Sequence, residues 1–290
     1  MDIPTLIMNA TELLLERCGD RAKFEARLLL GVAVGSHEPI YPHMHVQLRE
    51  EQIERYYELI SERIAGKPIS RIRGWREFWS LPFKLNQATL DPRPESELLV
   101  EKAVLYAQSK LFSKNNKIHL LDLGTGSGCL LLSCLKELKF ATGVGEDINK
   151  NAIFQAQENA RLLHLEERSE FLISNWFDGI GDHCFDIILC NPPYISRRHE
   201  KYLKDEVLLF DPQEALFSGK EGLADYEIII SSLAQYLSAQ GIVSLEIGYN
   251  QLERVSGFVR QANLRVSDVY KDLQGIPRCL IICHPNNTLL

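Results

Sequence analysis

Apolar positions along the chain follow two periods. Through roughly residue 66 they recur every three or four residues, the spacing of one helix face. Thr5–Arg17 carries Leu6, Leu13 and Leu14; Ala22–Val34 carries Phe24, Leu28 and Leu29. Arg49–Ala65 carries Ile53, Tyr56, Tyr57, Ile60 and Ile64, and Gly66-Lys67-Pro68 ends it. Three helices are therefore predicted, a small module that must dock on something. Over Ile69–Asp91 the pattern changes: Phe78-Trp79 and Leu81–Leu85 are strand-like and predict a β-hairpin connector that also holds Arg71, Arg73 and Arg76. Asp91-Pro92-Arg93-Pro94 breaks regular structure, and Glu95–Gln108 predicts a helix with Leu98, Leu99 and Val104 inward.

From Ile118 strands and helices alternate. Strands are predicted at Ile118–Leu123, Ala141–Ile148, Glu170–Ser174, Asp186–Cys190, Gly241–Ile247, Leu264–Tyr270 and Arg278–Cys283. Helices are predicted at Gly128–Leu138, Asn151–Leu163, Asp225–Ser238 and Gln251–Gln261. The early strands are nearly continuous apolar runs, as a sheet covered on both faces requires. The order predicts a doubly wound α/β sheet of seven strands. Only Lys271–Pro277 separates the last two strands, too short for a helical crossover, so they should pair antiparallel. The domain reading is a helical module at 1–68, a connector at 69–92 and an α/β domain at 93–290.

Composition narrows the class. With 290 residues, 45% of them hydrophobic and 24% charged, the chain can bury two cores and is not a disordered tract. No apolar run approaches the ~18 residues of a membrane helix. Met1-Asp2 opens without a basic run, so a cytoplasmic protein is expected. Seven scattered cysteines with no Cys-x-x-Cys pair read as reduced thiols. His43 and His45 have no further ligand at metal spacing, so no metal site is expected. A net charge of −7 argues against a large nucleic-acid footprint and favours a protein or small-molecule substrate.

Three stretches carry chemistry. Asp122-Leu123-Gly124-Thr125-Gly126-Ser127-Gly128 joins a strand to a helix; its glycines let backbone approach a ligand at the helix N-terminus. The spacing is neither the dinucleotide fingerprint nor a P-loop. Asp147 ends the second strand of the sheet, about 20 residues on, where an acid binds ribose hydroxyls. Glu146 is adjacent, and strand alternation sends the two side chains to opposite faces. Asn191-Pro192-Pro193-Tyr194 follows the fourth strand. Its prolines remove two donors and leave carbonyls free, Asn191 adds a side-chain acceptor, and Tyr194 can cover a planar group. Such a turn presents acceptors to an –NH2.

Together these stretches resemble class I S-adenosylmethionine-dependent methyltransferases, and the Asn-Pro-Pro-Tyr turn resembles their amino-methylating branch. Arg71-Ile72-Arg73-Gly74-Trp75-Arg76-Glu77-Phe78-Trp79 and Asp91-Pro92-Arg93-Pro94-Glu95-Ser96-Glu97 narrow the resemblance to the release factor glutamine methyltransferases, over essentially the whole chain. The resemblance implies a class I methyltransferase sheet with S-adenosyl-L-methionine as cofactor. It also implies peptide chain release factors as protein substrates, methylated at N5 of the glutamine in a Gly-Gly-Gln loop, with no direct nucleic-acid or membrane partner. It carries the cofactor loop onto Gly124, Thr125, Gly126, Ser127 and Gly128, the ribose acid onto Asp147, the aromatic beside adenine onto Trp176, and the substrate turn onto Asn191, Pro192, Pro193 and Tyr194. Asn191 also falls near the cofactor, and Asn191, Pro192 and Tyr194 are the expected catalytic residues. Asn175 stands where the family usually has an acid, Asp91 where an aliphatic residue is common and Ser96 where threonine is common.

An amide nitrogen is a poor nucleophile, so the expected leverage is orientation by acceptors rather than a strong base. Competing readings are an N6-adenine methyltransferase on DNA or RNA, supported by the three arginines, a ribosomal-protein glutamine methyltransferase, and an inactive binding module. The last predicts a damaged glycine loop or turn, and both are intact. The helical module and the Trp75–Trp79 hairpin are expected to grip the release factor away from its glutamine.

Overall fold

The protein, described by a computed structural model over residues 2–111 and 117–288, forms two units. One comprises Met1–Trp75 with Lys204–Phe210, the other Arg76–Leu203 with Asp211–Leu290. The residues expected as a separate connector are thus divided between them.

In the first unit Asp2 caps helix α1 (Ile3–Cys18) by accepting the Thr5 amide at 3.0 Å. Ile3, Leu6, Ile7, Ala10 and Leu14 of α1 pack with α2 (Ala22–Ala33) and α3 (Glu50–Ile64) around Leu29, Leu30, Tyr56, Leu59 and Ile60. The predicted helices are present, but Leu13, Phe24 and Ile64 are 52%, 49% and 42% exposed. Each lies beside the stripe: Leu13 is one residue, about 100°, from Leu14, and the core is filled by the i, i+4 set instead. Glu25 is buried in this unit because Arg63 Nε donates to it at 2.7 Å. Arg63 Nη1 also donates to Glu206 at 2.8 Å. That glutamate lies on the short helix α8 (Asp205–Phe210), a stretch with no sequence signal for membership of this unit.

Ile69–Arg73 is a short helix, α4, not part of the expected hairpin, and Gly74 ends it at φ 73°. Arg71 and Arg73 are therefore helical. The Arg73 guanidinium lies 3.7 Å over the Trp75 ring and donates to the His37 carbonyl. The hairpin proper is β1 (Trp75–Phe78) and β2 (Leu81–Lys84). Its two loop residues, Trp79 and Ser80, both have positive φ, as a tight right-twisted hairpin requires.

In the second unit α5 (Glu97–Tyr106) precedes a seven-stranded sheet. Its strands are β3 (Ile118–Leu123), β4 (Ala141–Asp147), β5 (Ser169–Ile173), β6 (Phe185–Cys190), β7 (Leu237–Glu246), β8 (Arg265–Lys271) and β9 (Pro277–Cys283). The spatial order is β5-β4-β3-β6-β7-β9-β8. The first five strands run parallel, and β9 pairs antiparallel with β7 and β8, so the terminal hairpin forms as expected. Helices α6 (Cys129–Glu137) and α7 (Lys150–Leu162) join α5 over Leu120, Ile187 and Leu189 on one face. Helices α9 (Ala224–Tyr236) and α10 (Leu252–Gln261) cover Leu121, Ile188 and Val243 on the other. Adjacent residues of one strand thus enter opposite cores, which explains the continuous apolar runs. The chain leaves β3 toward β4 and β5, then returns to β6. That reversal opens a crevice at the carboxyl ends of β3 and β6, where ligands bind in doubly wound sheets.

Candidate active site

A cavity of about 400 Å³ occupies this crevice. Its wall includes Gly124–Ser127, Glu146–Asn149, Ser174–Trp176, Asn191 and Pro193. Gly128, Pro192 and Tyr194 are adjacent in sequence to this lining but not part of it. Gly128 caps α6 at φ 80°, where a Cβ would meet Leu132 at 3.0 Å.

The loop after β3 is held by carboxylates. Asp122, fully buried, accepts the Thr125 hydroxyl at 2.6 Å, and burial pushes its carboxyl up to about 7. Asp147 accepts the Gly126 amide at 3.0 Å on one oxygen and the Asn149 amide at 2.8 Å on the other. Each oxygen keeps a lone pair for a diol. Burial also raises the Asp147 pKa. Glu146 reaches the same loop, accepting the Gly124 amide at 2.9 Å. Strand alternation does separate the two side chains, but the loop folds over the strand end and offers each an amide. Glu146 is 1% exposed, and burial pushes its carboxyl up to about 9. Its other oxygen has no hydrogen-bond partner among the described residues.

Trp176 holds a positive φ of 53° after β5, and its ring edge lies 3.4 Å from where a Gly124 Cβ would stand. A Cβ at Gly126 would meet no protein atom within 4 Å. The loop is therefore a cradle open to the cavity. Open backbone, diol acceptors and an indole beside them suit the adenosyl group of a class I methyl donor.

The turn after β6 forms the other end. Asn191 Nδ2 donates to Ser96 Oγ at 3.0 Å, and Ser96 donates to Glu246 Oε2 at 2.5 Å. The Tyr194 hydroxyl donates to Glu246 Oε1 at 3.2 Å, and the Tyr194 carbonyl accepts Gln251 Nε2 at 2.9 Å. Glu246 is 2% exposed; burial raises its carboxyl, and burial, with the Glu246 charge beside it, raises the Tyr194 phenol. Beyond the turn Arg197 stacks 4.3 Å over Phe217 and donates to Gln213, and Arg93 is paired with Asp211. Glu246 and Gln251 were not anticipated. The available signal was a single acid inside the apolar run Ile242–Ile247. Among the described residues no group of three or more His, Cys, Asp or Glu is arranged to hold a metal.

Comparison with known proteins follows this division. Residues 5–74 match the family model described as the PrmC N-terminal domain, and residues 99–222 match the methyltransferase small domain. The chain is 37% identical over 262 residues to the release factor glutamine methyltransferase of Agrobacterium fabrum, covering 88% of each. It is 37% identical over 264 residues to that of Bradyrhizobium diazoefficiens, covering 90% of this chain and 88% of the relative. A bifunctional methyltransferase of Rickettsia felis is 34% identical over 283 residues; the match takes in 90% of this chain but about half, 54%, of that longer relative. Among solved structures, the hMettl16 catalytic domain in complex with a MAT2A 3'UTR hairpin superposes with a TM-score of 0.56 at 15% identity. The match covers 79% of this chain and 83% of that one, and it speaks for the fold alone.

Proposed function

The chain belongs to the release factor glutamine methyltransferase family, and from that premise we propose that it methylates the N5 amide of the Gly-Gly-Gln glutamine of peptide chain release factors with S-adenosylmethionine. The observation that carries this reading is the Asn191 amide on the cavity wall: its –NH2 is committed to Ser96, which leaves Oδ1 as an acceptor for a donor in the cavity. When bound, the cofactor supplies a methyl group on a sulfonium, and the carbon–sulfur electron pair leaves on sulfur as the new carbon–nitrogen bond forms. Asn191 Oδ1 and the Pro192 carbonyl accept the two hydrogens of the substrate amide and aim its nitrogen. Held this way, the nitrogen is oriented before reaction, an effect that supplies up to ~7–11 kcal/mol in favourable intramolecular systems. The same acceptors stabilise the positive charge that develops on nitrogen before one proton leaves to solvent. Asp147 would hold the ribose hydroxyls, Trp176 would lie beside the adenine, and Gly124–Gly128 would receive the remainder of the cofactor.

The arginines that favoured a nucleic-acid substrate have internal partners. Arg73 is stacked on Trp75, and Arg76 lies 3.6 Å from Asp91. The helical unit would grip the release factor remotely, using binding energy to place a flexible loop. A cytoplasmic location fits a translation substrate, and among the described residues no helix is long and apolar enough to cross a membrane.

The test is methyl transfer from labelled S-adenosylmethionine to a purified release factor, its Gly-Gly-Gln glutamine-to-alanine variant and duplex DNA. Label on the intact factor alone is expected, and Asn191→Ala should lower it at least about 100-fold. Label on DNA, or on the glutamine-free variant, would overturn the reading.

A further inference from the structure

We infer that Glu246 and Ser96 are positioning residues that fix which atom of the Asn191 amide faces the substrate; the inference rests on the glutamine methylation proposed above. The argument is one of hydrogen-bond polarity. The Ser96 and Tyr194 hydroxyls and the Arg278 charge oppose the effect of burial on Glu246, and the ionised carboxylate they favour has no hydrogen to give, whereas a serine hydroxyl has one. Ser96 therefore spends its hydrogen on Glu246 Oε2, at 2.5 Å. Toward Asn191, 3.0 Å away, it offers only a lone pair, so the –NH2 of Asn191 must face it. Oδ1 is then turned away from Ser96. The carboxylate also takes the Tyr194 hydroxyl, and the Tyr226 hydroxyl donates to the Glu246 carbonyl at 3.0 Å. One side chain on β7 thus ties the first and last residues of the turn and has little freedom to rotate. Ser96 and Asn191 line the cavity and Glu246 does not, so its action on substrate passes through Ser96.

Glu246→Gln reverses the chain. With Nε2 toward Ser96, Tyr194 donates to the new Oε1, Nε2 donates to Ser96, and Ser96 donates to Asn191 Oδ1. Tyr194, Nε2 and Ser96 then each have an acceptor within the chain, whereas the opposite amide orientation leaves the buried Tyr194 hydroxyl without one. The reversed chain turns the Asn191 amide over and presents –NH2 to a substrate –NH2. Ser96→Ala removes the constraint altogether, and Ser96→Thr keeps the hydroxyl.

The experiment measures kcat and KM with a release factor for the three variants, and Kd for S-adenosylhomocysteine by calorimetry. Glu246→Gln and Ser96→Ala should each lower kcat about 100-fold with Kd within about threefold of the parent, and Ser96→Thr should restore kcat to within about threefold. A parent-like kcat in Glu246→Gln overturns the inference. So does a Kd that rises in step with the loss of kcat, or a Ser96→Thr variant as poor as Ser96→Ala. Failure of the parent enzyme to label the release factor sinks the underlying reading instead, and the two failures are distinct.

Discussion

Glu146 offers a test of the electrostatics around the glycine loop. Its carboxyl lies among the ends of β3, β4 and β5, with the Gly124 amide as donor to one oxygen and none to the other among the described residues. Burial pushes its pKa from the ordinary 4.5 to about 9. A carboxyl raised in the folded state holds a proton that the unfolded chain has lost. Its stabilising contribution is complete below pH 4.5 and is lost progressively as pH rises toward 9. One pH unit within that window corresponds to about 1.4 kcal/mol, so about 3 kcal/mol is lost between pH 6 and pH 8. Glu146→Gln keeps an oxygen for Gly124 and has no charge to form. The assay is urea unfolding of both proteins at pH 6, 7, 8 and 9, read by tryptophan fluorescence. Subtracting the two curves removes the contributions common to both proteins, chiefly that of the buried Asp122 carboxyl, which burial also raises. The variant should gain on the parent by about 3 kcal/mol from pH 6 to pH 8. A difference that stays constant across this range would refute the argument, because Glu146 would then already be ionised at pH 6.

Other perturbations probe the turn, the cofactor end and the helical unit. Gly222→Ala would place a Cβ 2.3 Å from the Tyr194 carbonyl oxygen at a φ of +74°; kcat on a release factor should fall about 10- to 100-fold while Kd for S-adenosylhomocysteine holds. Asp147→Ala strips the Gly126 and Asn149 amides of their acceptor and removes the diol site, so the same Kd should rise at least about tenfold by calorimetry. Arg63→Leu strips the buried Glu25 carboxylate of its buried guanidinium, leaving it the Cys18 thiol at 3.2 Å and the exposed Arg21 at 3.1 Å, and should cost about 3 kcal/mol in denaturant unfolding. Adding Glu25→Leu should recover most of that loss.

The local code of this chain is strong where one period or one turn suffices. Helical spacing in the first 66 residues, the strand–helix alternation after Ile118 and the short gap before the last strand are properties of neighbouring residues, and each placed its element. The glycine loop, Asp147 and Asn191-Pro192-Pro193-Tyr194 were legible for the same reason: each is a continuous stretch whose backbone demands appear in its own residue types. Element ends were less so. Ile69–Arg73 became helix because Gly74, free to take positive φ, could terminate it before the hairpin. Which leucine of an adjacent pair is buried was decided by the packing partner, as Leu13 and Leu14 show. The partners that give the site its polarity are farther apart still. Glu246 meets Ser96 across 150 residues and Tyr194 across 52. A hydrogen bond has no periodicity along the chain. Only the order β3-β6-β7 and the seat of α5 against the sheet bring an isolated acid on β7 to the turn after β6, so it is tertiary structure that gives the Asn191 amide its partner.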